Sequence, residues 1–425
     1  MELLLLILRK ENLRTAYENV IRNKGSCGVD GIGTEELKPF LQSNWTRLKE
    51  ELLGGTYQPQ AILGIEIPKR SGGKRLLGIP TTFDRMIQQA IHQELSPAFD
   101  PDFSAHSYGF RPGKNAGQAI LQAQAYINQG YGIIVDIDLK SFFDTVNHDY
   151  LMTLIKRKVK DPVLLRLIWR YLRSPVQIGG KLQKRRLGVP QGGPLSPLLS
   201  NIVLNELDQE LERRELRFVR YADDFCIFLK CHRSAHRVYR RISRFIEEQL
   251  HLEVNQKKSA IRKPLQFEYL GYAFESAYRK GEKGQYQLVV SHDSLEELKY
   301  KIKEITRKTI PASFDERIER LTLLMRGWLN YFRHASMYNK LYSLDGWVRN
   351  RLRYCIWHHW KKGKRRAINL IRLGVARQMA WKWAHSRLGG WGVSCSPILT
   401  TTITLDRLQK RGYVAFLDYY LKLRC

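Results

Sequence analysis

The sequence predicts an α+β protein, a mixed core of helices and short strands followed by a mainly helical, cationic C-terminal region. Two short apolar runs with strand character, 133–138 (IIVDID) and 218–229 (FVRYADDFCIFL), lie among stretches with helical periodicity. After about residue 292 the pattern is mainly helical and increasingly basic. Lys plus Arg number 71 against 41 Asp plus Glu, a net charge of +30, with an isoelectric point near 9.9. That surplus argues against an enzyme of small neutral metabolites and for a polyanionic partner, nucleic acid ahead of an anionic membrane surface. Residues 346–425 hold 17 Lys/Arg and two acids, Asp406 and Asp418, so half of the surplus sits in the last 80 residues.

Taken in order, residues 1–55 read as helices with a turn-rich break at 23–28. Residues 61–80 (AILGIEIPKRSGGKRLLGIP) read as a β-hairpin, two apolar runs around a basic turn. From Arg85 onward Met86, Ile87, Ala90, Ile91 and Leu95 recur at helical spacing. Residues 133–138 are the clearest strand, 147–173 and 195–216 look helical, and 218–229 reads as two strands around a tight turn. A helix at 234–251 and short strands at 267–274 and 286–290 follow. The expected domains are 1–60, 61–290, 291–366 and 367–425.

Six cysteines (Cys27, Cys226, Cys231, Cys355, Cys395, Cys425) show no CxxC pair and no zinc spacing, which fits a reduced, intracellular protein. The opening MELLLLIL has a six-residue apolar run preceded by an acid and followed by cations, the wrong order for a signal peptide. No apolar stretch reaches the roughly 18 residues that a membrane span needs.

Tyr221-Ala222-Asp223-Asp224 places adjacent acids between runs that otherwise read as buried strand. Neighbouring carboxylates repel one another and attract a cation. Asp136 and Asp138 lie two apart on a strand, hence on one face. If the two strands are neighbours, three or four carboxylates converge. Oxygen ligands without His or Cys select Mg²⁺ or Mn²⁺ and fit two-metal phosphoryl transfer. Most Asp-Asp pairs do no more than cap a turn.

Context changes that reading. The chain resembles a group II intron-encoded reverse transcriptase (maturase) over nearly its full length. YADD at 221–224 matches the YxDD signature, residues 138–144 (DLKSFFD) the first catalytic-aspartate motif, and residues 190–197 (PQGGPLSP) the segment before the palm helix. The resemblance implies a right-hand polymerase: fingers and palm with an antiparallel sheet, a helical thumb (X domain), and a short basic C-terminal DNA-binding segment. It implies two Mg²⁺ ions (Mn²⁺ as a possible substitute) on Asp138, Asp223 and Asp224, with the main chain of Leu139 near one of them. Asp136 remains open between a direct metal contact and a hydrogen bond behind the ligands.

Further roles follow from the same resemblance. Phe143 falls where a bulky residue lies beneath the incoming sugar and leaves no room for a 2′-OH, with Phe142 beside it in the core. Lys69 and Arg75 on the fingers hairpin would reach the triphosphate. Gln191 would touch sugar and base. Lys258, with Lys257 as the alternative, would donate a proton to pyrophosphate, and Leu270 and Gly271 would form the primer grip. Asn23, Gly25 and Gly31 belong to the N-terminal segment that holds template, and Arg111 lies in a stretch that serves either the template or palm packing. Residues 326–332 (RGWLNYF) resemble the thumb motif and read as mostly core. Arg349, Arg353, Lys361, Lys362, Lys364, Arg365 and Arg366, interleaved with Trp and His and with no acid, form a nucleic-acid surface.

The family's optional Cys/His-rich HNH nuclease module has no counterpart in the cysteine pattern, which points to the compact, group IIC-like class. The expected partners are group II intron RNA, a template–primer duplex of RNA and DNA, target DNA and dNTPs, with no membrane, and the oligomeric state is open between monomer and homodimer. The expected place is the bacterial cytoplasm, as a nucleoid-associated ribonucleoprotein. Two other readings stay open: an RNA-binding splicing cofactor with an idle polymerase site, and a related reverse transcriptase recruited to host DNA repair or defence.

Overall fold

A computed structural model describes residues 2–68, 74–276 and 285–424, and the chain divides into two compact units, Met1–Lys263 and Pro264–Cys425. Helix and sheet are mixed in the first unit and helices dominate the second, the α+β architecture that the sequence predicts.

The first unit opens with helices, including α1 (Lys10–Arg22). The hairpin strands β1 (Ile62–Pro68) and β2 (Lys74–Ile79) pair antiparallel from Leu63↔Ile79 to Pro68↔Lys74, and α2 (Thr82–Phe99) follows. Strands β3 (Ile133–Ile137), β4 (Val176–Ile178) and β5 (Lys181–Gln183) precede α3 (Ser196–Arg213). Then come β6 (Arg217–Tyr221), β7 (Asp224–Leu229), α4 (His232–Glu248) and β8 (Ala260–Arg262). One sheet runs β2-β1-β4-β5 and the other, antiparallel throughout, β6-β7-β3-β8.

The second sheet has two unlike faces because side chains alternate along each strand. Val135 and Ile137 of β3 join Phe218, Phe225 and Ile227 in the main core, together with Leu199 and Val203 of α3 and Ala235, Ile242 and Ile246 of α4. Asp136 is paired with Cys226 and so lies on the opposite face.

The structure departs from the sequence reading where short-range chemistry overrides periodicity. Residues 147–173 form two helices, His148–Lys158 and Pro162–Arg173. Asp161 accepts hydrogen bonds from Val163 N (3.0 Å) and Leu164 N (3.2 Å), and Pro162 at the first helical position supplies the φ that restarts the helix. Strands β4, β5 and β8 went unread, since a three-residue strand has no period to detect.

The second unit begins with a sheet of β9 (Glu268–Tyr269), β10 (Tyr272–Ser276) and β11 (Tyr286–Val290) in the order β11-β10-β9. Helices α5 (Phe314–Tyr331), α6 (Tyr338–His359) and α7 (Gly363–Arg372) follow, and the last helix, Phe416–Arg424, returns to α6. Asp345, buried on α6, accepts from the Tyr413 hydroxyl (2.8 Å), Phe416 N (2.8 Å) and Leu417 N (2.9 Å). The segment after residue 367 is thereby built into the same body as α6.

Asp84 at the start of α2 ties the fingers strands to their helix. It accepts from the hydroxyls of Tyr57 and Thr81 (both 2.8 Å) and from Gln60 N (3.3 Å). Burial pushes its carboxyl up to about 6, against the pull of those donors. The folded chain therefore holds this proton more tightly than the unfolded chain. The stability it brings is complete below about pH 4 and is lost as pH rises through about 6. Asp84→Asn removes the buried charge, so its unfolding free energy from urea titrations should gain on that of the parent by about 2–3 kcal/mol between pH 4 and 7. A difference that stays constant over that range would show that the carboxyl does not titrate in the folded state.

Candidate active site

Three strands bring the acids together. Continuing the β3–β7 register beyond Ile137↔Phe225 sets Asp138 opposite Asp224, on the same face as Asp136. Asp138 is held from the β8 side: Asn255 Nδ2 donates to its Oδ1 (2.9 Å), its own N donates to Ser259 Oγ (3.0 Å), and Lys258 Nζ lies 3.7 Å from Oδ2. Lys258, rather than Lys257, is thus the lysine beside the acids. Leu139 bridges to Val254, which fixes the main chain just beyond Asp138. Asp136 is engaged from the side by Arg262 Nε at 3.2 Å.

The electrostatics match this crowding. Burial first, then the charges of Asp223, Asp138 and Asp136, push the Asp224 carboxyl up to about 7, while Lys258 pulls it down. Burial, then Asp138, also raises Asp223, and burial raises Asp136 against Arg262. Among the described residues no three acidic, His or Cys side chains form a ready-made cation cage. The donor set nonetheless fits a hard divalent ion of the Mg²⁺ kind, which takes one or two carboxylates and completes its shell with substrate phosphates and water. Such an ion would relieve the repulsion that raises these carboxyls.

The turn that carries Asp223 and Asp224 is strained and braced from behind. Tyr221 pairs with Asp224, leaving a two-residue turn with Ala222 left-handed at φ 58°. A residue with a Cβ adopts that conformation only where its surroundings impose it. Here the imposing group is Arg220, fully buried beside fully buried Asp208. Its Nε and Nη2 donate to the two Asp208 oxygens (2.7 and 2.5 Å), and its Nη1 donates to Asn201 Oδ1 and to the Ala222 carbonyl (both 2.9 Å). Asn201 Nδ2 donates in turn to Gly109 O (2.9 Å), and Gly109 packs so closely that any side chain would run into the backbone of Ala222. Sequence reasoning passed over Arg220, Asp208 and Asn201. The available signal was an arginine inside an otherwise apolar strand run.

Beside the turn lies a cleft of about 520 Å³ lined by Asn23, Arg85, Phe110, Phe143, Gln191 and Gly192, among others. It gathers residues from three separate sequence motifs. The Phe110 ring meets Tyr221 of the turn at 6.3 Å. Phe143 is half-buried on its rim while Phe142 is in the core, as their neighbouring positions suggested. Gln191 O accepts from Gly78 N of β2 (2.7 Å), which ties the fingers hairpin to the PQG loop. Arg85, also missed in the sequence, donates to Ser26 O (2.6 Å) and so docks the 23–32 segment, with Gly25 against its guanidinium and Gly31 left-handed at φ 72°. Lys69 lies outside the described residues. Arg75 belongs to β2, but its side chain lies outside them as well.

Within the second unit, Leu270 (φ 51°) and Gly271 (φ 79°) form the two-residue turn between β9 and β10, with both residues left-handed as a tight hairpin requires. Tyr331 of the 326–332 motif donates its hydroxyl to Leu270 O (3.0 Å), and Phe332 packs on Tyr272 at 5.0 Å. Lys361, Lys362, Lys364 and Arg365 are exposed, Arg349 is half-buried, and Arg366 lies over buried Trp357 at 4.5 Å.

Two expected nucleic-acid contacts are corrected. Arg111 has a side chain only 8% exposed, ion-paired with Asp100 (2.7 Å), and its guanidinium donates to the carbonyls of Ser104, Ser107 and Asp100. Arg353 is 7% exposed and donates to Ile403 O and Asn350 Oδ1. Both serve the fold, because a guanidinium enclosed by carbonyls has no donor to offer a strand.

The Arg220–Asp208 pair makes the brace testable. Arg220→Ala leaves a buried carboxylate without its partner and should destabilise the chain by about 3–5 kcal/mol in urea unfolding. Replacing both residues, Arg220→Met with Asp208→Leu, should recover most of that loss. A single variant within about 1 kcal/mol of the parent would contradict the buried pairing.

Comparison with known proteins agrees with this geometry. Residues 67–274 match the family described as reverse transcriptase (RNA-dependent DNA polymerase), and residues 295–373 match that described as group II intron, maturase-specific domain. Protein YkfC of Escherichia coli (strain K12) is 33% identical over 300 residues, covering 61% of this chain and 78% of that protein. Group II intron-encoded protein LtrA of Lactococcus lactis subsp. cremoris is 32% identical over 268 residues, covering 60% of this chain and 43% of LtrA. This chain therefore spans most of YkfC and less than half of LtrA. Among solved structures, the partial Cas6-RT-Cas1–Cas2 complex aligns over 58% of this chain and 43% of that one at 26% identity, with a TM-score of 0.38. Reverse transcriptases use divalent metal ions, and the maturase-specific domain implies an RNA partner. No helix among the described residues is long and apolar enough to cross a membrane. On these matches the chain belongs to the group II intron-encoded reverse transcriptases and maturases.

Proposed function

We propose that the protein copies group II intron RNA into DNA and binds that RNA to assist splicing and mobility, acting in the cytoplasm as part of a ribonucleoprotein. The observation that carries the reading is the register of β3 on β7. It sets Asp138 against Asp224 beside a cleft that contains Phe143 and Gln191.

In the reaction the 3′-oxygen of a DNA primer attacks the α-phosphorus of a dNTP and pyrophosphate leaves. Asp138, Asp223 and Asp224, with the main chain at Leu139, would hold two divalent ions, Mg²⁺ or in its place Mn²⁺. Such ions make the attacking hydroxyl a better nucleophile and neutralise the leaving pyrophosphate. Asn255 and Ser259 orient Asp138, and Arg220 fixes the turn, so the acids hold their geometry while substrates exchange. Lys258 stands ready to protonate pyrophosphate. Phe143 excludes a 2′-OH by clash, Gln191 contacts sugar and base, and Lys69 and Arg75 take the triphosphate. Asn23, Gly25 and Gly31 receive the template, Leu270 and Gly271 hold the primer end, and Arg349, the exposed cations 361–365 and Arg366 bind intron RNA and target DNA.

Primer extension on an RNA template with Mg²⁺ tests this directly. The parent should extend with dNTPs and not with rNTPs, and Asp223→Ala should abolish extension while leaving RNA affinity within about twofold. Phe143→Ala should cut the preference for dNTPs by about tenfold or more, by opening room for the hydroxyl. A folded protein that binds structured RNA yet extends nothing would defeat the polymerase reading and leave an RNA-binding splicing cofactor.

A further inference from the structure

Helix α4 carries a charge pattern that the polymerase reading does not use. Its inner side chains, Ala235, Ile242 and Ile246, are buried in the same core as Val135, Ile137, Phe225 and Ile227 of the palm sheet. Its outer face exposes five arginines, Arg233, Arg237, Arg240, Arg241 and Arg244, with exposed His232 just before them and exposed His236 among them.

This pattern works against the helix that bears it. Arg233–Arg237, Arg237–Arg241 and Arg240–Arg244 are like charges four residues apart, and Arg237–Arg240 and Arg241–Arg244 are three apart, where side chains face one another. The first turn holds Arg233 and no acid, opposite to what the helix dipole favours. Glu248 offsets Arg244, and at a distance of 3.8 Å. A solvated face would be expected to mix signs. The cations are also all arginine, whose planar fork suits phosphate oxygens better than the point charge of lysine.

Their position separates them from the copying site. The acids Asp136, Asp138 and Asp224 lie on one face of the β6-β7-β3-β8 sheet, and α4 packs in the core on the other. A strand seated on α4 is therefore not the strand at the acids. Beside α4 a cleft of about 260 Å³, lined by Arg214, Leu216, Arg237, Val238, Arg241 and Ile242, continues the basic surface toward the end of α3. From Arg233 to Arg244 the row runs about 16 Å at helical rise, long enough to meet several successive phosphates.

We propose that the outer face of α4 is a second RNA-binding surface, which grips the phosphate backbone of a folded RNA on the side of the palm sheet opposite the carboxylates. RNA is the polyanion of choice because the maturase-specific domain implies an RNA partner. The inference rests on the reading of the chain as an intron-binding polymerase. It adds a surface through which RNA stays bound while a template is copied.

The test compares the full chain with a variant in which all five arginines become glutamine. The probes are an in vitro transcribed group II intron RNA, a short RNA-template/DNA-primer duplex, and a plain DNA duplex. Intron RNA affinity should fall at least about thirtyfold near 0.15 M salt, and the slope of log affinity against log salt should flatten by about three to four, since each lost phosphate contact removes somewhat less than one. Primer extension on the short duplex and affinity for it should stay within about twofold. Equal losses for intron RNA and template–primer would place α4 in the copying cleft, and no loss at all would leave a solvated face. An equal loss for plain DNA duplex would make the surface a general polyanion site. Each of these outcomes overturns the proposal.

A second measurement needs no variant. Exposed Cys231 sits directly before α4, so bound intron RNA should slow its alkylation in peptide maps of the parent, and template–primer should not. Unchanged alkylation with RNA bound would overturn the proposal even if the glutamine variant failed to fold. A parent that extends no primer defeats the polymerase reading, while a parent that extends primer but keeps Cys231 reactive defeats only this one.

Discussion

A buried guanidinium stands behind a turn that carries two carboxylates, and much of the first unit follows from that arrangement. Asp223 and Asp224 must project together beside Asp138, which the repulsion among their charges opposes. Arg220 bonds to the backbone of the turn through Ala222 O, at the left-handed residue. Asp208 and Asn201 on α3 hold Arg220, and Asn201 also holds the loop at Gly109. One helix thus fixes the turn, the loop packed against it and, through that loop, Phe110 on the cleft wall. The polar network is tolerable in the core because each guanidinium nitrogen has an acceptor.

The chain's large positive surplus divides into cations that build the molecule and cations that face outward, and composition cannot tell them apart. Arg111, Arg220 and Arg353 are enclosed and bonded to carbonyls or carboxylates, as is Arg317, which donates to the carbonyls of Ile305, Arg307 and Ile310. Arg351 bonds to the Thr306 hydroxyl and stacks near Trp347 and Trp391. Arginine serves in these places because its fork satisfies several acceptors at once and keeps its charge when buried. The rest face solvent along much of the chain, and the five arginines of α4 and the stretch 361–365 are clusters of them with no acid in between.

The acids, with Phe143 and Gln191 of the cleft, were legible in the sequence because each is a residue type that its chemistry requires at a recognisable spacing. Asp136 and Asp138 two apart, the paired acids of YADD and the glycines after Gln191 state their surroundings without the fold. Arg220 did not, since its role depends on Asp208 twelve residues earlier and on a helix packed across the strand. Arg111 and Arg353 misled for the complementary reason: burial depends on what the rest of the chain folds around. Strand β8 escaped notice at three residues, yet it leads back from Asn255 and Ser259, which hold Asp138. Local pattern located the chemistry, and tertiary contact determined which groups support it.

The two-residue period of the strands has a larger consequence here than the placing of side chains. On β3 it sends Asp136, and beyond the strand Asp138, to one side and Val135 and Ile137 to the other. The acid side must stay open, since carboxylates that hold an ion also need room for substrate phosphates. The apolar side must be covered, and α3 and α4 cover it. A covering helix has an outer face of its own, set back from the acids by the sheet and by its own diameter of about 10 Å. Positive charge placed nearer the acids would compete for the ion's place, as Lys258 and Arg262 already do in part. Placed on the far side of α4, it can attract a polyanion at no cost to the carboxylates. The alternation that builds the site therefore also provides a surface on which strong positive charge leaves that site undisturbed.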